Sequence, residues 1–445
     1  MMQPSDRQPS KSEASMALAG FINLSAAWFG LSYLWSGLHA ILLPLMLIGL
    51  VPEAFKNTFL GVLTFAGLIM AMLTQPIAGA ISDRSGLFGR FGKRRPWMVL
   101  GTGADLIFLL LLGLATQFWW LLLAYVGLQI ASSFAEASLQ GLLPDLVPNE
   151  QRGRGSGYKN AAQIAGFVAG VGIGGFLAGR GQIREALLAT GIILVGTTAW
   201  TSLGVHEEPV ARARTKSLSM AAALRTLFID SFRIDQGAAP GYLRLLAGRG
   251  LLMAGFFALQ GFAQYFVADV MPVENPAATT AFLMAVMGAA IFLLAVPTGV
   301  LADRYGRRPL NLVSGLLGAA AALSLVFVGN VAQLIIAGGF VGASAGIFLS
   351  VNWAWAADLV PPDEAGRYLG LGNLATAGAS AFSRLFAGPI IDAGNALQIG
   401  LGYHVLFGIL AVGMVAGTYL LAGVPETRGM VAEPAREILR REGPE

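Results

Sequence analysis

Two stretches of this chain are near copies of two others, and that duplication limits the fold more than any other feature. Residues 79–96, GAISDRSGLFGRFGKRRP, recur in shortened form at 299–309 as GVLADRYGRRP, and residues 145–160, DLVPNEQRGRGSGYKN, recur at 358–373 as DLVPPDEAGRYLGLGN. In the second pair Asp145/Asp358, Pro148/Pro361, Arg154/Arg367 and five further positions are identical at a constant separation of 213. In the first pair Gly79/Gly299 and Asp83/Asp303 are 220 apart, whereas Pro96/Pro309 are 213 apart. One seven-residue insertion between Asp83 and Pro96 reconciles the two. The chain is therefore two halves built on one plan.

Composition says what the halves are made of. Of 445 residues 55% are hydrophobic and only 12% charged, more apolar side chain than a soluble core of this length buries, which marks a polytopic membrane protein. At about 20 apolar residues per span, the pattern predicts twelve helices. They lie near 20–48, 57–82, 97–116, 118–144, 159–180, 184–204, 244–270, 277–302, 310–329, 331–356, 369–391 and 403–423. The expected fold is all-α, with twelve transmembrane helices in two pseudo-symmetric halves. The first apolar stretch exceeds a cleaved signal peptide and reads as a retained helix.

Charge fixes the expected orientation. Of the 29 Lys and Arg residues, 24 fall to one side of this topology. Lys56, Arg180 and Arg184 fall to the other, and Arg249 and Arg384 lie inside spans, Arg249 near enough to the basic end to snorkel. The positive-inside rule then places both termini and the central loop in the cytoplasm, which requires an even number of spans. The domain plan is a polar N-terminus at 1–16, a six-helix half at 17–204, a cytoplasmic linker at 205–243, a second half at 244–423 and a cytoplasmic tail at 424–445. Within the linker Met220, Leu224, Leu227, Phe228 and Phe232 share helical spacing. Two readings stay open there, a short helix on the membrane face and a solvated linker. The charge distribution is that of a protein in a bilayer, so nucleic acid is not an expected partner.

Polar residues inside the spans carry the functional expectations. The first helix has Ser25, Trp28, Ser32, Trp35, Ser36 and His39 at helical spacing, a face meant for a cavity or another helix rather than lipid. The fourth has Gln129, Ser133, Glu136 and Gln140 on one stripe. Intramembrane ionisable groups need a reason. Glu136 is the leading candidate for proton uptake, His39 for relaying protons or bonding solute, and Arg384 for neutralising a buried acid or attracting an anion. Asp105 is expected to pair between helices. Shifting the stripe by 213 gives Gly342, Gly346, Leu349 and Trp353, a tenth-helix face of small and aromatic residues toward the cavity, with Asn352 and Trp355 nearby. Phe257, Gln260 and Gln264 come from the seventh helix. Amides with flat aromatic faces, Trp35 included, suit a neutral, sugar-like solute.

G-x-x-x-D-R-x-G-R-R at 299–308, with its partner at 79–96, resembles the loop signature of the major facilitator superfamily, and the likeness runs over nearly the whole chain. The longer first loop ending in GKRRP is similar to the branch of glycoside–cation and plant sucrose symporters. QPIAGAISDR, LLPDLVPNEQRG and Trp35 nine residues before Pro44 look more like the sucrose type. Departures limit the transfer. Ala71, Thr74 and Gln75 stand where melibiose-type members carry cation-binding carboxylates, and Gln140 stands where sucrose symporters carry an arginine.

The resemblance implies a solute site between the halves at mid-bilayer and a cytoplasmic gate at the signature loops that favours the outward-open state. Gly79 and Gly299 would let helices approach closely there. Asp83 and Asp303 would accept hydrogen bonds from Arg84, Arg90, Arg94, Arg304 and Arg307 and from helix N-terminal amides of the opposite half. Arg154 and Arg367 are further expected partners of the two aspartates. With no G-x-x-x-x-G-K-[ST], no clustered histidines and no cysteine, the chain is not expected to be an enzyme or to hold a metal or cofactor. The expectation is a monomeric, proton-coupled secondary transporter of a small polar solute in the plasma membrane (the bacterial inner membrane if prokaryotic). An exporter of amphipathic compounds and a non-transporting receptor or scaffold are the alternatives.

Overall fold

A computed structural model describes residues 16–84, 91–148, 151–207, 239–361 and 365–426, without the side chains of Asp83, Arg84 and residues 365–367. Arg90, the expected linker helix between Met220 and Phe232, and most of both tails lie outside the described residues. The twelve expected spans are twelve helices. They are α1 (Leu18–Leu47), α2 (Lys56–Arg84), α3 (Arg95–Gly113), α4 (Phe118–Leu146), α5 (Arg152–Ala178), α6 (Ile183–Gly204), α7 (Tyr242–Val270), α8 (Pro276–Tyr305), α9 (Arg307–Ser324), α10 (Val331–Asp358), α11 (Ala365–Leu397) and α12 (Leu401–Ala422). Helices are the local solution because each backbone N–H and C=O must be satisfied within its own segment when lipid offers no partner. Outward faces are correspondingly apolar, with Trp119, Leu203, Val296, Phe386 and Tyr419 all exposed.

The duplication is visible in the packing. Helix α1 lies on α5 and α6 as α7 lies on α11 and α12; α4 lies on α2 and α3 as α10 lies on α8 and α9. The halves meet through two related pairs, α2 with α11 and α5 with α8.

These contacts concentrate at one end. There Asp392 of α11 meets Thr58 of α2, and Asn275 donates to the carbonyl of Gly179 at 3.2 Å. At the other end, where the basic loops lie, a Cβ at Gly79 would find no described residue within 4 Å. The two halves form a V, closed away from the basic loops and open toward them.

One irregularity bears on function. Helix α1 widens to a π-helix over Leu38–Leu42, just before Pro44. Proline has no N–H to return to the preceding turn, and π-helical segments absorb such a break. The Pro44 carbonyl accepts the Tyr265 hydroxyl of α7 at 2.7 Å, joining the halves near the closed end. His39 sits within the widened turn.

Candidate functional site

The stripe on α1 divides between two neighbours. Ser32 Oγ donates to the Gln163 carbonyl at 2.6 Å and Ser36 Oγ to the Phe167 carbonyl at 3.0 Å, so the serines bind α1 to α5. Trp35 and His39 stack on each other with centroids 5.0 Å apart and turn toward α4. There His39 Nε2 and the Tyr125 hydroxyl lie 2.7 Å apart, and Gln129 Nε2 donates to the same hydroxyl at 2.7 Å. A chain running Gln129 to Tyr125 to His39 uses each group once, the phenol donating to the imidazole.

Arg384 stands over this chain from the other half, within electrostatic reach of both His39 and Tyr125. Its Nε faces α7 at Gly261, where a Cβ would lie 3.0 Å away. Gln264, one turn beyond Gly261, is buried with Oε1 unpartnered, while Gln260 is partly exposed. Tyr125 escaped the sequence reading although it extends the Gln129 stripe by one turn.

Two further polar patches lie toward the basic end. On the first half the partly exposed Glu136 accepts from Gln140 Nε2 at 3.1 Å and also faces Gln75 and Lys159. Lys159 lies over the Trp28 ring at 3.9 Å. Ser133 donates within its own helix to the Gln129 carbonyl. On the second half Arg249 is 5% exposed and does not snorkel. Its NH1 donates to Asn352 Oδ1 at 2.6 Å, its Nε donates to Thr376 Oγ1 at 2.9 Å, and it lies over Trp353. Asn352 and Trp353 thus belong with Arg249 rather than with Arg384.

Gly342 and Gly346 do not face a cavity. A Cβ on either would meet the backbone of Met287 or Ile291 on α8, so these positions serve close helix packing. Shifting a register by 213 preserves a position in the helix but not what has been built opposite it. Asp105 is wholly buried between helices and faces the Ser132 hydroxyl of α4, the interhelical partner within its reach, although neither carboxylate oxygen meets a described donor in close hydrogen-bond geometry.

At the basic end the expected gate is parted. Among the described residues a Cβ at Gly79 would meet nothing within 4 Å, and one at Gly299 would meet Ser350 Oγ of its own half, at 3.4 Å. No described residue of the opposite half makes the close approach assigned to these glycines. Asp303 pairs with Arg307 NH1 at 2.8 Å, four residues on, rather than with Arg154. Arg154 is exposed and lies over Phe21, and Arg304 lies over Tyr305. The side chains of Asp83, Arg84 and Arg367 are outside the described set.

What holds each half together here is a triad the sequence reading did not assemble. Arg94 Nε binds Asp145 Oδ2 at 3.0 Å, with Lys93 on the same oxygen, while the Glu207 carboxylate accepts from the backbone N–H groups of Arg94 and Arg95. The second half repeats it. Arg307 Nε binds Asp358 Oδ2 at 3.2 Å, and Glu426 accepts from the N–H groups of Arg307 and Arg308. Each glutamate thereby caps the positive end of a helix, α3 or α9. The signal was present: GVHE at 204–207 and GVPE at 423–426 are a third repeat.

The closed end carries a second network, across the halves. Asp392 of α11 accepts from Asn57 Nδ2 at 2.8 Å and from Thr58 N and Oγ1 at 2.7 and 2.6 Å. Lys56 Nζ reaches Asp269 Oδ1 at 2.6 Å, and the Tyr403 hydroxyl donates to Asp269 Oδ2 at 2.7 Å. Gly61 and Gly388 permit the contact, since a Cβ on the first would strike the Arg384 carbonyl and on the second the Asn57 carbonyl. Four helices are tied here by charged and polar groups that no sequence motif announced.

This duplicated bundle was compared with known proteins. A family model described as MFS/sugar transport protein matches residues 29–420. The chain belongs to that family of major facilitators. Among curated relatives of this facilitator, the multi-drug resistance efflux pump PmrA of Streptococcus pneumoniae is 25% identical over 86% of this chain and 91% of its own. The multidrug resistance protein MdtG of Klebsiella pneumoniae is 22% identical over 74% and 76%. The uncharacterized MFS-type transporter YuxJ of Bacillus subtilis is 24% identical over 60% of this chain and 65% of its own. Among solved structures, the nucleoside transporter NupG superposes with a TM-score of 0.72 at 14% identity, over 90% of this chain and 98% of that one. A bacterial homologue of the human lysosomal transporter Spinster, inward-facing and unoccupied, gives 0.67 at 18% identity over 92% and 95%. These likenesses establish a facilitator fold and a multi-pass membrane transporter.

Proposed function

We propose that this facilitator is a proton-driven secondary transporter that moves a small polar, sugar-like solute across the plasma membrane by alternating access, as a monomer. The observation that carries the reading is the V itself. Polar groups from α1, α4, α7 and α11 gather where the halves part, beneath a network that closes one end. A solute held there is reachable from the open end alone. The concentration of Lys and Arg at that end supports its being cytoplasmic, with both termini on the same side.

Stacked Trp35 and the amides of Gln260 and Gln264 support a hydroxyl-bearing ring. Glu136, partly exposed on α4 and held by Gln140 and Gln75, with Lys159 in electrostatic reach but no described cation within 4 Å, supports a role as the proton-carrying carboxylate. Uptake of a labelled sugar panel into proteoliposomes, with and without an imposed pH gradient, tests this directly. Accumulation should follow the gradient and vanish in Glu136→Gln. Accumulation indifferent to the gradient, or intact in that variant, removes the proton.

A second reading is export of amphipathic compounds. The likeness to PmrA and MdtG, named for multidrug resistance, favours it. Energised efflux of a hydrophobic dye from cells bearing the protein, absent in Asp392→Ala, would support it over uptake.

A further inference from the structure

We infer that the solute carries an anionic group, a carboxylate or a phosphate, which binds the guanidinium of Arg384; the inference rests on the central cluster being the solute site. Arg384 is 4% exposed and lies in the middle third of α11. No carboxylate among the described residues comes within 4 Å of it, and its Nε is buried without an acceptor. The groups nearest in charge are His39 and Tyr125; they are hydrogen-bonded to each other, and the Tyr125 hydroxyl also accepts from Gln129. Among the described residues nothing takes up the guanidinium fork, whose Nε is left for an acceptor from outside them.

The other arginine within a span is not left in that condition: Arg249 donates to Asn352 and Thr376 and covers Trp353. A bare cation within a bilayer is costly, and such a group persists where it serves an ion or substrate. An arginine fork matches the two oxygens of a carboxylate or phosphate, a geometry that neutral hydroxyls meet only singly. Stacked Trp35 and the unpartnered Gln264 Oε1 then receive the rest of the solute, the amide oxygen accepting from a hydroxyl. A cationic amphiphile is repelled by the same charge.

The full-length protein in nanodiscs, at fixed ionic strength, tests the inference by ligand-induced thermal shift with glucose, sorbitol, gluconate, glucuronate and glucose 6-phosphate. At least one anion should bind about tenfold or more tightly than its neutral counterpart, the gap expected for a charged over a neutral hydrogen-bonded pair. The gluconate and phosphate arms tell which oxyanion is accepted. Arg384→Gln should erase the preference, and Arg384→Lys should retain part of it, keeping charge but losing the fork. Neutral members binding as tightly as anions, or a preference that survives Arg384→Gln, overturns the inference and leaves the solute site standing. Binding by no member overturns the site reading and the inference together. If Arg384→Gln does not reach the membrane, the order of ligands on the unaltered protein decides.

Discussion

The carboxylate of Asp392 on α11 accepts both the backbone N–H and the hydroxyl of Thr58, in the first turn of α2 in the other half, at 2.7 and 2.6 Å. An acid from one half thus caps the positive end of a helix in the other. The contact exists only while this end is shut. Asp392→Ala should therefore weaken closure by about 1.5–3 kcal/mol, the range for hydrogen bonds to a charged group. The chain has no cysteine, so labels can be placed without background. Spin labels at Glu53 and Leu397 should show a longer population in the variant. An unchanged distance distribution would show that the cap does not hold the end closed.

The Lys56–Asp269 pair should act cooperatively with its surroundings. Its side chains are 13% and 15% exposed, less than a surface pair, and Tyr403 donates to the second oxygen. Removing one partner leaves the other poorly solvated, so Lys56→Gln and Asp269→Asn should each cost more than the double variant implies. A coupling of about 1–2 kcal/mol is expected, above the usual value for exposed pairs. A double-mutant cycle on the same label pair measures it, and additive effects would mean the pair is incidental.

Most of the fold was legible because a bilayer leaves few alternatives. Apolar runs of spanning length had to be helices, and two copied segments had to mean two related halves. The site was legible only where chemistry shows in residue type. His39, Gln129 and Arg384 stand out as polar residues within apolar spans, and the structure gathers them. Asp392 and Asp269 did not stand out, since each lies near a helix end where an acid looks ordinary, and their partners are as many as 335 residues away. The tenth-helix face was misplaced for the opposite reason, because symmetry of sequence was carried into symmetry of environment. Gly342 and Gly346 pack on α8, while their counterparts Gln129 and Ser133 hold polar contacts.

Glu207 and Glu426 should be stabilising without being gates. Each accepts backbone N–H groups at the start of a helix in its own half, α3 or α9, so neither contact changes when the halves move apart. Glu207→Ala and Glu426→Ala should each lower stability by about 1–2 kcal/mol, the cost of losing a helix cap. Thermal unfolding in detergent measures the loss. The Glu53–Leu397 label distance should stay as in the unaltered protein, and a lengthened one would assign these glutamates a part in closure.

Gly61 and Gly79 lie on the same helix and should answer alanine in opposite ways. At Gly61 a Cβ would strike the Arg384 carbonyl, so Gly61→Ala should force the closed end apart, with overpacking costing about 1–3 kcal/mol. At Gly79 no described residue occupies the space in this conformation, and alanine is the better helix former by about 1 kcal/mol. Gly79→Ala should therefore raise the unfolding temperature slightly. It should nevertheless slow transport, because closing the basic end brings another helix against that position and the added methyl holds it off. Stability and turnover would then move in opposite directions in one variant, a pattern that general damage to the fold does not produce. A Gly79→Ala protein that transports at the full rate would free this glycine from the gate and leave its recurrence at Gly299 without a role in closure.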